Sequence, residues 1–336
     1  MKALCIERPG SALVREMAKP KAADGEVVIR VEYCGICGTD VHIFRGEYLG
    51  DYPITPGHEF SGTVTAVGAG VRRCKVGDRV AVEPNIACDN CGPCLNNRQN
   101  FCANWQAVGV SRPGGMAEYV RVPEKGVFPI GGLDFRAGAF VEPLSCVLHG
   151  LERVGVEVAD RVLILGAGPI GLLLMKVALI RGASSVTMVD RNTSRLENAR
   201  IEGGPTVAIA AGIDSLPADH FDLVVDATGV TALMGQTTRW ARHGGRILLF
   251  GVPANGARLE TDAFAIFRKG LSLISSYTSV RNSQEALRLL ESGRVDVGRL
   301  VSHVLPLADF TKGVDMLERN GQAVMKILLA PGEGRA

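Results

Sequence analysis

The stretch from 161 to 190 constrains the fold more than any other part of the chain. An apolar, strand-like run at 161–165 precedes a Gly-x-Gly-x-x-Gly turn at 166–171, and an apolar helix-like run follows the turn. The next strand-like run, at 185–189, ends at the acidic residue Asp190. A glycine turn between a buried strand and a helix, followed by a strand that ends in a carboxylate, is typical of a βαβ unit that binds a dinucleotide. The stretch therefore predicts a doubly wound Rossmann domain.

The residues of this turn have separate physical roles. The first glycine permits the tight turn, the second lets a pyrophosphate approach the backbone, and the third lets the helix pack closely on the strand. The helix N-terminus offers amide hydrogens and the positive end of its dipole to the phosphates. We predict cofactor contacts from the turn, from the end of the second strand and, by position alone, from the ends of later strands: Gly166, Gly168, Pro169, Ile170, Gly171, Asp190, Arg191, Thr228, Gly251 and Val252.

Asp190 indicates which dinucleotide the domain prefers. A carboxylate at this position accepts hydrogen bonds from the adenosine ribose hydroxyls and repels a 2′-phosphate, so the sequence favours NAD over NADP. The neighbouring Arg191 acts in the opposite direction, because an arginine here can tolerate that phosphate.

Length and composition exclude several classes of protein. The 336 residues, 46% of them hydrophobic, are enough for two globular domains, and a net charge of +2 without a basic block gives no footprint for nucleic acid or an anionic membrane. The apolar stretch 162–180 is interrupted by glycines and a proline, which favours a strand and a helix over a membrane span. Charged residues follow the initial Met1 before any apolar region develops, so we expect a cytoplasmic protein without a signal peptide.

The first 143 residues have a different pattern from the rest. They are rich in valine, glycine and proline, and short alternating runs such as 27–31 and 62–68 are bounded by turn residues. This pattern predicts a β-barrel or β-sandwich.

Four cysteines lie within fifteen residues of this first part: Cys88, Cys91, Cys94 and Cys102. Four thiolates satisfy tetrahedral zinc and leave no open position, so the spacing predicts a structural zinc ion. An iron–sulfur cluster uses the same number of ligands and is the alternative. A zinc ribbon for nucleic acid is disfavoured, because Arg98 is the one basic residue between the first and last cysteine.

A second group of metal-binding residue types is spread more widely. Cys37, His58 and Glu59 are the three ligand types of catalytic zinc, which keeps one exchangeable position. Glu142 is a further acidic candidate in an apolar setting, and Asp40 could orient His58 through its second ring nitrogen. Taken singly, each of these residues is more simply explained as a packed or exposed side chain.

These motifs together resemble the zinc-dependent medium-chain dehydrogenase/reductase family, the alcohol and polyol dehydrogenases. The resemblance is carried by Cys-Gly-x-Cys-Gly-Thr-Asp-x-His at 34–42, Gly-His-Glu at 57–59, the four-cysteine segment and Glu-Pro-Leu-Ser at 142–145. It implies a GroES-like β-barrel catalytic domain at 1–143 with a structural zinc lobe at 88–102. A Rossmann NAD-binding domain at 144–281 and a C-terminal return to the catalytic domain at 282–336 complete the implied organisation.

The resemblance also implies roles for individual residues. Thr39 and His42 match the positions of a proton relay, and Arg195 matches an arginine near the adenosine. Glu59 together with Glu142 is more similar to the sorbitol and polyol branch, in which the downstream glutamate binds zinc directly or through water. The family further implies a homo-oligomer, either a dimer or a tetramer.

The sequence thus predicts oxidation of a secondary alcohol of a polyol or sugar alcohol by NAD, with one catalytic and one structural zinc. Ile43 stands where sorbitol dehydrogenases carry a tyrosine, so L-threonine 3-dehydrogenase or 2,3-butanediol dehydrogenase activity stays open. A nucleotide-binding redox sensor that uses zinc only structurally is the non-enzymatic alternative.

Overall fold

The computed structural model describes residues 1–47, 51–210, 212–319 and 324–332. The chain forms two compact units. The first consists of Met1–Ser145 together with the C-terminal part that begins at Ser279, and the second of Cys146–Thr278. The boundaries that we predicted for the middle domain are 144 and 281.

The N-terminal part of the first unit is mostly β-structure. Its strands are β1 (Lys2–Arg8), β2 (Ser11–Glu16), β3 (Glu26–Gly35), β4 (Glu59–Val67), β5 (Arg79–Val82), β6 (Asn85–Ile86), β7 (Gln106–Ala107), β8 (Tyr119–Pro123) and β9 (Val127–Pro129). Its helices are α1 (Gly38–Arg45), α2 (Gly92–Leu95) and α3 (Phe135–Gly138), and α4 (Val141–Val154) leads the chain into the second unit.

The second unit alternates strands and helices. These are β10 (Arg161–Leu165), α5 (Pro169–Ile180), β11 (Ser185–Val189), α6 (Thr193–Gly203), β12 (Val207–Ile209), β13 (Phe221–Asp226), α7 (Thr231–Met234), α8 (Thr237–Trp240), β14 (Ala241–Leu249), α9 (Ala263–Lys269) and β15 (Ser272–Ser275). The chain then returns to the first unit with α10 (Ser283–Glu291), β16 (Val301–Pro306), α11 (Phe310–Glu318) and β17 (Lys326–Ala330). Short 3-10 turns lie at Gln99–Phe101, Glu124–Gly126, Gly204–Thr206, Ile213–Ser215, Gly298–Leu300 and Leu307–Asp309.

The main sheet of the first unit runs in the order β16-β17-β3-β4-β5-β9, and β8 also pairs with β3. Alternating valines and isoleucines of the long strand β3, such as Val27 and Ile29, point into a core that Phe60 and Val64 of β4 complete. The period-two alternation of apolar residues therefore produces the expected barrel-type packing. The GroES-like β-fold is confirmed for this unit.

The sheet of the second unit is parallel, in the order β12-β11-β10-β13-β14-β15. This strand order, with the first strand in the middle, is that of a doubly wound dinucleotide fold, as predicted. The strand β12 is one that the sequence did not reveal, because it has three residues, two of them exposed, and follows the segment Gly-Gly-Pro-Thr. Among the described residues no helix is long and apolar enough to cross a membrane.

Candidate zinc centre and dinucleotide site

Asp40, on α1, ties together the two segments that carry the predicted zinc ligands. It is fully buried, and one carboxylate oxygen, Oδ2, accepts a 2.8 Å hydrogen bond from the backbone N–H of Cys37. The other oxygen, Oδ1, accepts from the N–H of Gly57 at 3.2 Å and lies 3.5 Å from Nδ1 of His58. The residue therefore lies where the sequence predicts an orienting partner for His58, but the 3.5 Å contact is an ion-pair distance and Nδ1 of His58 makes no hydrogen bond within the described part of the chain.

The turn before His58 requires a glycine. Gly57 has a φ of +97°, and a Cβ atom at this position would lie 2.8 Å from the backbone nitrogen of Met116. A larger residue would strain the backbone and collide with Cys34 and Met116.

Cys37, His58 and Glu59 meet in one place. Their candidate ligand atoms all lie within 4.8 Å of one another, and the side chains of His58 and Glu59 are buried. Burial lowers the pKa of His58, but the negative charges of the Asp40 carboxylate and a Cys37 thiolate outweigh this effect and raise the pKa well above its usual value. A compact set of sulfur, nitrogen and oxygen donors fits a zinc ion.

Glu142 lies outside this three-residue set. It is buried in the first turn of α4. Its negative charge helps to raise the pKa of Lys326, but its carboxylate is not among the three clustered donors. Its role as a fourth zinc ligand stays a prediction.

Lys326 is a site residue that the sequence analysis missed. It is the first residue of β17 and is buried, and its Nζ donates to Oε2 of Glu59 and lies 3.4 Å from the carbonyl oxygen of Ile36. Burial lowers the pKa of Lys326, but Glu59 and Cys37 reverse this and raise it, so the lysine stays charged beside the ligand set. A signal was available, since a single lysine inside the apolar run 324–330 requires a partner.

The two predicted relay residues, Thr39 and His42, lie three residues apart on α1 and therefore share one face of the helix. Both are partly exposed. Nδ1 of His42 is 2.8 Å from Oε2 of Glu47, a contact that the sequence did not suggest. Their role in proton transfer stays a prediction.

The four sulfurs of Cys88, Cys91, Cys94 and Cys102 lie within 4.8 Å of one another. Backbone N–H groups of Cys88 and Asn104 donate to Sγ of Cys102 at 3.2 and 3.3 Å. A hydrogen bond from the backbone of Asn90 lowers the pKa of the Cys88 thiol to about 6, which favours the thiolate that a metal requires. Burial instead raises the pKa of Cys94 to about 12. Four clustered sulfurs that receive backbone hydrogen bonds fit a structural zinc ion.

We expect Cys94→Ser to lower the zinc content by one ion per chain and to lower the Tm of the first unit by at least about 5 °C. The side chain is buried and contributes one of four ligands, so the loop would lose its metal crosslink. Calorimetry and metal analysis measure both effects. Cys74→Ser, at a partly exposed cysteine outside both ligand groups, is the control, and equal zinc content in both variants would contradict the assignment.

The glycine turn of the second unit has the predicted geometry. Gly166 has a φ of +101°, and Gly168 is the residue immediately before α5, with an extended backbone. A Cβ atom on Gly171 would overlap the carbonyl group of Gly166, so the helix can approach the turn only with glycine at this position. The N-terminus of α5 therefore follows a turn of glycines closely, as a pyrophosphate site requires.

Asp190 is held by the turn itself. Its Oδ2 accepts from the backbone N–H of Ala167 at 2.8 Å, and its Oδ1 accepts from the N–H of Asn192 at 2.8 Å. Arg195 on α6 also lies beside the glycine turn. Its Nη1 is 4.0 Å from the point where a Cβ atom would be if Gly168 carried a side chain. The structure thus brings an acidic and a basic group to the edge of the turn, while Arg191 is exposed.

The other predicted cofactor contacts, Thr228, Gly251 and Val252, lie on the loops after β13 and β14. The first of these loops is organised by Asp226, the last residue of β13. This fully buried carboxylate accepts from the Thr228 hydroxyl at 2.6 Å and from the Gly229 N–H at 3.1 Å. Burial raises the pKa of Asp226, although these hydrogen bonds oppose the shift. The carboxylate therefore holds the loop after β13, while the backbone carbonyl of Asp226 accepts from the N–H groups of Phe250 and Gly251.

Comparison with known proteins gives the family. Residues 23–132 match the model of the alcohol dehydrogenase GroES-like domain, and residues 169–292 match that of the zinc-binding dehydrogenase. The chain is 37% identical to D-altritol 5-dehydrogenase of Agrobacterium fabrum strain C58, over 98% of this chain and 99% of that protein. It is 32% identical to D-arabinitol dehydrogenase 1 of Uromyces fabae, over 98% and 97%.

Among solved structures, one of a zinc-binding dehydrogenase from Sinorhizobium meliloti 1021, bound to NADP, superimposes with a TM-score of 0.91 and 34% identity. The match covers 98% of this chain and 99% of that one. Both domain models, the two ligand clusters and the full-length relatives agree. The chain belongs to the zinc-dependent medium-chain dehydrogenase family, as an alcohol dehydrogenase of the zinc-binding type.

Proposed function

We propose that the protein oxidises a secondary alcohol of a polyol or sugar alcohol to the ketone or ketose, with NAD as the hydride acceptor. The observation that carries the proposal is the convergence of Cys37, His58 and Glu59 on one point. The relatives named for D-altritol and D-arabinitol support a polyol over a simple alcohol. The same residues would serve threonine or butanediol oxidation, so the substrate is decided by experiment.

We assign different roles in this reaction to different residues of the first unit. Cys37, His58 and Glu59 would hold zinc, which when bound acts as a Lewis acid that favours the deprotonated alcohol. Asp40 fixes the relative position of α1 and the Gly57–His58 turn, and so keeps the donors together. Thr39 and His42 would pass the released proton from the alcohol toward solvent. A second zinc on the four cysteines would be structural.

The turn at Gly166–Gly171 would bind the pyrophosphate, with Pro169 and Ile170 in the first turn of α5 and Asp190 on the adenosine ribose. The carboxylate favours NAD. The NADP bound to the Sinorhizobium relative and the position of Arg195 near the turn make NADP the necessary comparison. The family also suggests a homo-oligomer, a dimer or tetramer, which light scattering of the purified protein would determine.

The test combines metal analysis with a substrate panel. We expect two zinc ions per chain, and NAD reduction with at least one of D-altritol, D-arabinitol, 2,3-butanediol or L-threonine, a reaction that a chelator stops and added zinc restores. A kcat/KM at least about tenfold higher with NAD than with NADP is expected from the ribose carboxylate.

The outcomes separate the candidate functions. Activity on a polyol but not on threonine supports the proposal, and the reverse result would replace it with threonine oxidation. One zinc ion per chain and no reduction of either dinucleotide with any alcohol would leave a nucleotide-binding protein with a structural metal.

A further inference from the structure

We propose that Glu47 is a positioning residue for His42: its carboxylate selects the tautomer of the imidazole and strengthens it as a proton acceptor. This inference rests on the proposed function, because it assigns the relay residue a partner of its own. The contact is direct, since Oε2 of Glu47 lies 2.8 Å from Nδ1 of His42.

A carboxylate accepts hydrogen bonds and does not donate them, so Nδ1 of His42 must carry the hydrogen in this contact. In the neutral ring the other nitrogen, Nε2, then keeps its lone pair. A relay needs this arrangement, because the imidazole can take up a proton only at an unprotonated nitrogen. The carboxylate of Glu47 therefore prepares His42 to accept the proton at Nε2.

The position of Glu47 is set by the end of α1. Gly46 adopts the left-handed conformation, with a φ of +79°, and terminates the helix. The chain then turns back, and the backbone N–H of Glu47 donates to the carbonyl oxygen of His42 at 2.8 Å. Glu47 thus makes two hydrogen bonds with His42, one through the backbone and one through the side chain. The left-handed C-cap of α1 therefore places the carboxylate beside the ring.

The nearby charged residue Arg45 does not compete strongly with His42 for the carboxylate of Glu47. Arg45 on the same helix has Nη1 3.9 Å from Oε2 of Glu47, but its Nη2 donates at 2.6 Å to Glu318 on α11. The positive charge of Arg45 is therefore neutralised mainly by Glu318. The side chains of His42 and Glu47 are 21% and 39% exposed, which gives the pair contact with water while the ring keeps a fixed orientation.

The proton balance follows from this geometry. Oxidation of the alcohol releases one proton besides the hydride that NAD accepts, and the relay delivers that proton to Nε2. The resulting imidazolium keeps its Nδ1–H bond to Glu47, whose negative charge stabilises it. One proton then passes to water and the starting tautomer returns.

Two variants test the contribution of the Glu47 carboxylate. Glu47→Gln removes the charge and keeps an acceptor oxygen, whereas Glu47→Ala removes both. In each variant we expect kcat for D-arabinitol, or for the fastest polyol of the panel, to fall about fivefold, with KM changed less than twofold. The midpoint of the acid limb of the kcat–pH profile should move to lower pH by about half a unit, because the imidazolium loses a neighbouring negative charge.

Glu291→Gln is the matched control, because it makes the same chemical change at an exposed glutamate at the end of α10, outside the His42–Glu47 and Arg45–Glu318 contacts. It should leave kcat, KM and the pH profile unchanged. Long-range proton–nitrogen NMR of the zinc-loaded protein without substrate should show the Nδ1–H tautomer of His42 in wild type and in Glu291→Gln. In Glu47→Ala that tautomer should lose its dominance.

The inference would be overturned if both Glu47 variants matched Glu291→Gln in the pH midpoint and Glu47→Ala also matched it in the tautomer. A lower kcat without either change would also overturn it, because that result indicates only a structural role. A wild-type protein without dehydrogenase activity would refute the proposed function instead, and the NMR measurement would still decide whether Glu47 sets the tautomer.

Discussion

Cys37→Ser is expected to lower kcat/KM for alcohol oxidation by at least about 10³-fold and to reduce the zinc content from two ions per chain to one. The cysteine supplies the sulfur of the Cys37–His58–Glu59 set, whose donor atoms lie within 4.8 Å of one another. A bound Lewis acid contributes several kcal/mol to stabilisation of the transition state, and each 1.36 kcal/mol corresponds to about tenfold in rate. Steady-state kinetics and metal analysis of the same preparation measure both quantities.

Cys74→Ser is again the matched control for this substitution. Cys74 is partly exposed and belongs to neither ligand group, so its replacement should leave both zinc ions and the activity intact. The Cys37 variant should also keep the zinc ion of the four-cysteine segment, because that ion has its own ligands. Full activity of Cys37→Ser with a single zinc ion would show that the chemistry does not use this centre.

Local sequence patterns predicted most of the fold because they report on local geometry. The glycine at 166 needs a positive φ, and the glycine at 171 lies where any Cβ would overlap the turn, so the βαβ unit is recognisable from sequence spacing alone. The short strand β12 was not recognised, because three residues with little burial leave no hydrophobic period. Its place is set by pairing with β11, which is a tertiary contact.

The sequence predicted those residues of the candidate site that belong to a recognisable motif. It did not predict residues that reach the site only through tertiary contacts. Lys326 is 267 residues from Glu59, and two strand pairings bring them together: β17 pairs with the end of β3, where Leu328 is opposite Gly35, and Gly35 is opposite Glu59 on β4. No periodicity within one segment encodes that register. Glu47 was missed for another reason, since its role depends on the left-handed end of α1.

Asp226 in the Rossmann unit is a second residue whose role depends on tertiary contacts that the sequence does not show. An aspartate at the end of a buried strand is visible in the sequence, but its function depends on which amides and hydroxyls face it. In the structure these are the N–H of Gly229 and the hydroxyl of Thr228, so the carboxylate shapes the loop that we predict to line the cofactor. Strand ends with a buried acid are therefore sites to examine even when no motif marks them.

Lys326→Met is expected to destabilise the first unit by about 3–5 kcal/mol in zinc-free protein. The substitution removes the cation from an ion pair whose side chains are 7% and 1% exposed, and leaves the Glu59 carboxylate buried beside Cys37 without its partner. Zinc bound to the same carboxylate would offset part of the loss, so the destabilisation should be smaller in zinc-loaded protein. Urea unfolding of the first unit, with chelator and with zinc, measures the difference.

The double variant Glu59→Gln/Lys326→Met decides whether the uncompensated charge is the cause. It removes both charges, so most of the stability lost in zinc-free Lys326→Met should return, whereas a loss caused by poor packing of methionine would persist. Lys312→Met, at a lysine whose side chain is 64% exposed, should change stability by no more than about 0.5 kcal/mol. If Lys326→Met were as stable as Lys312→Met without zinc, the buried pair would contribute nothing to the fold. The pair would then affect only the affinity for zinc. The stability difference between unfolding with zinc and unfolding with chelator measures that effect.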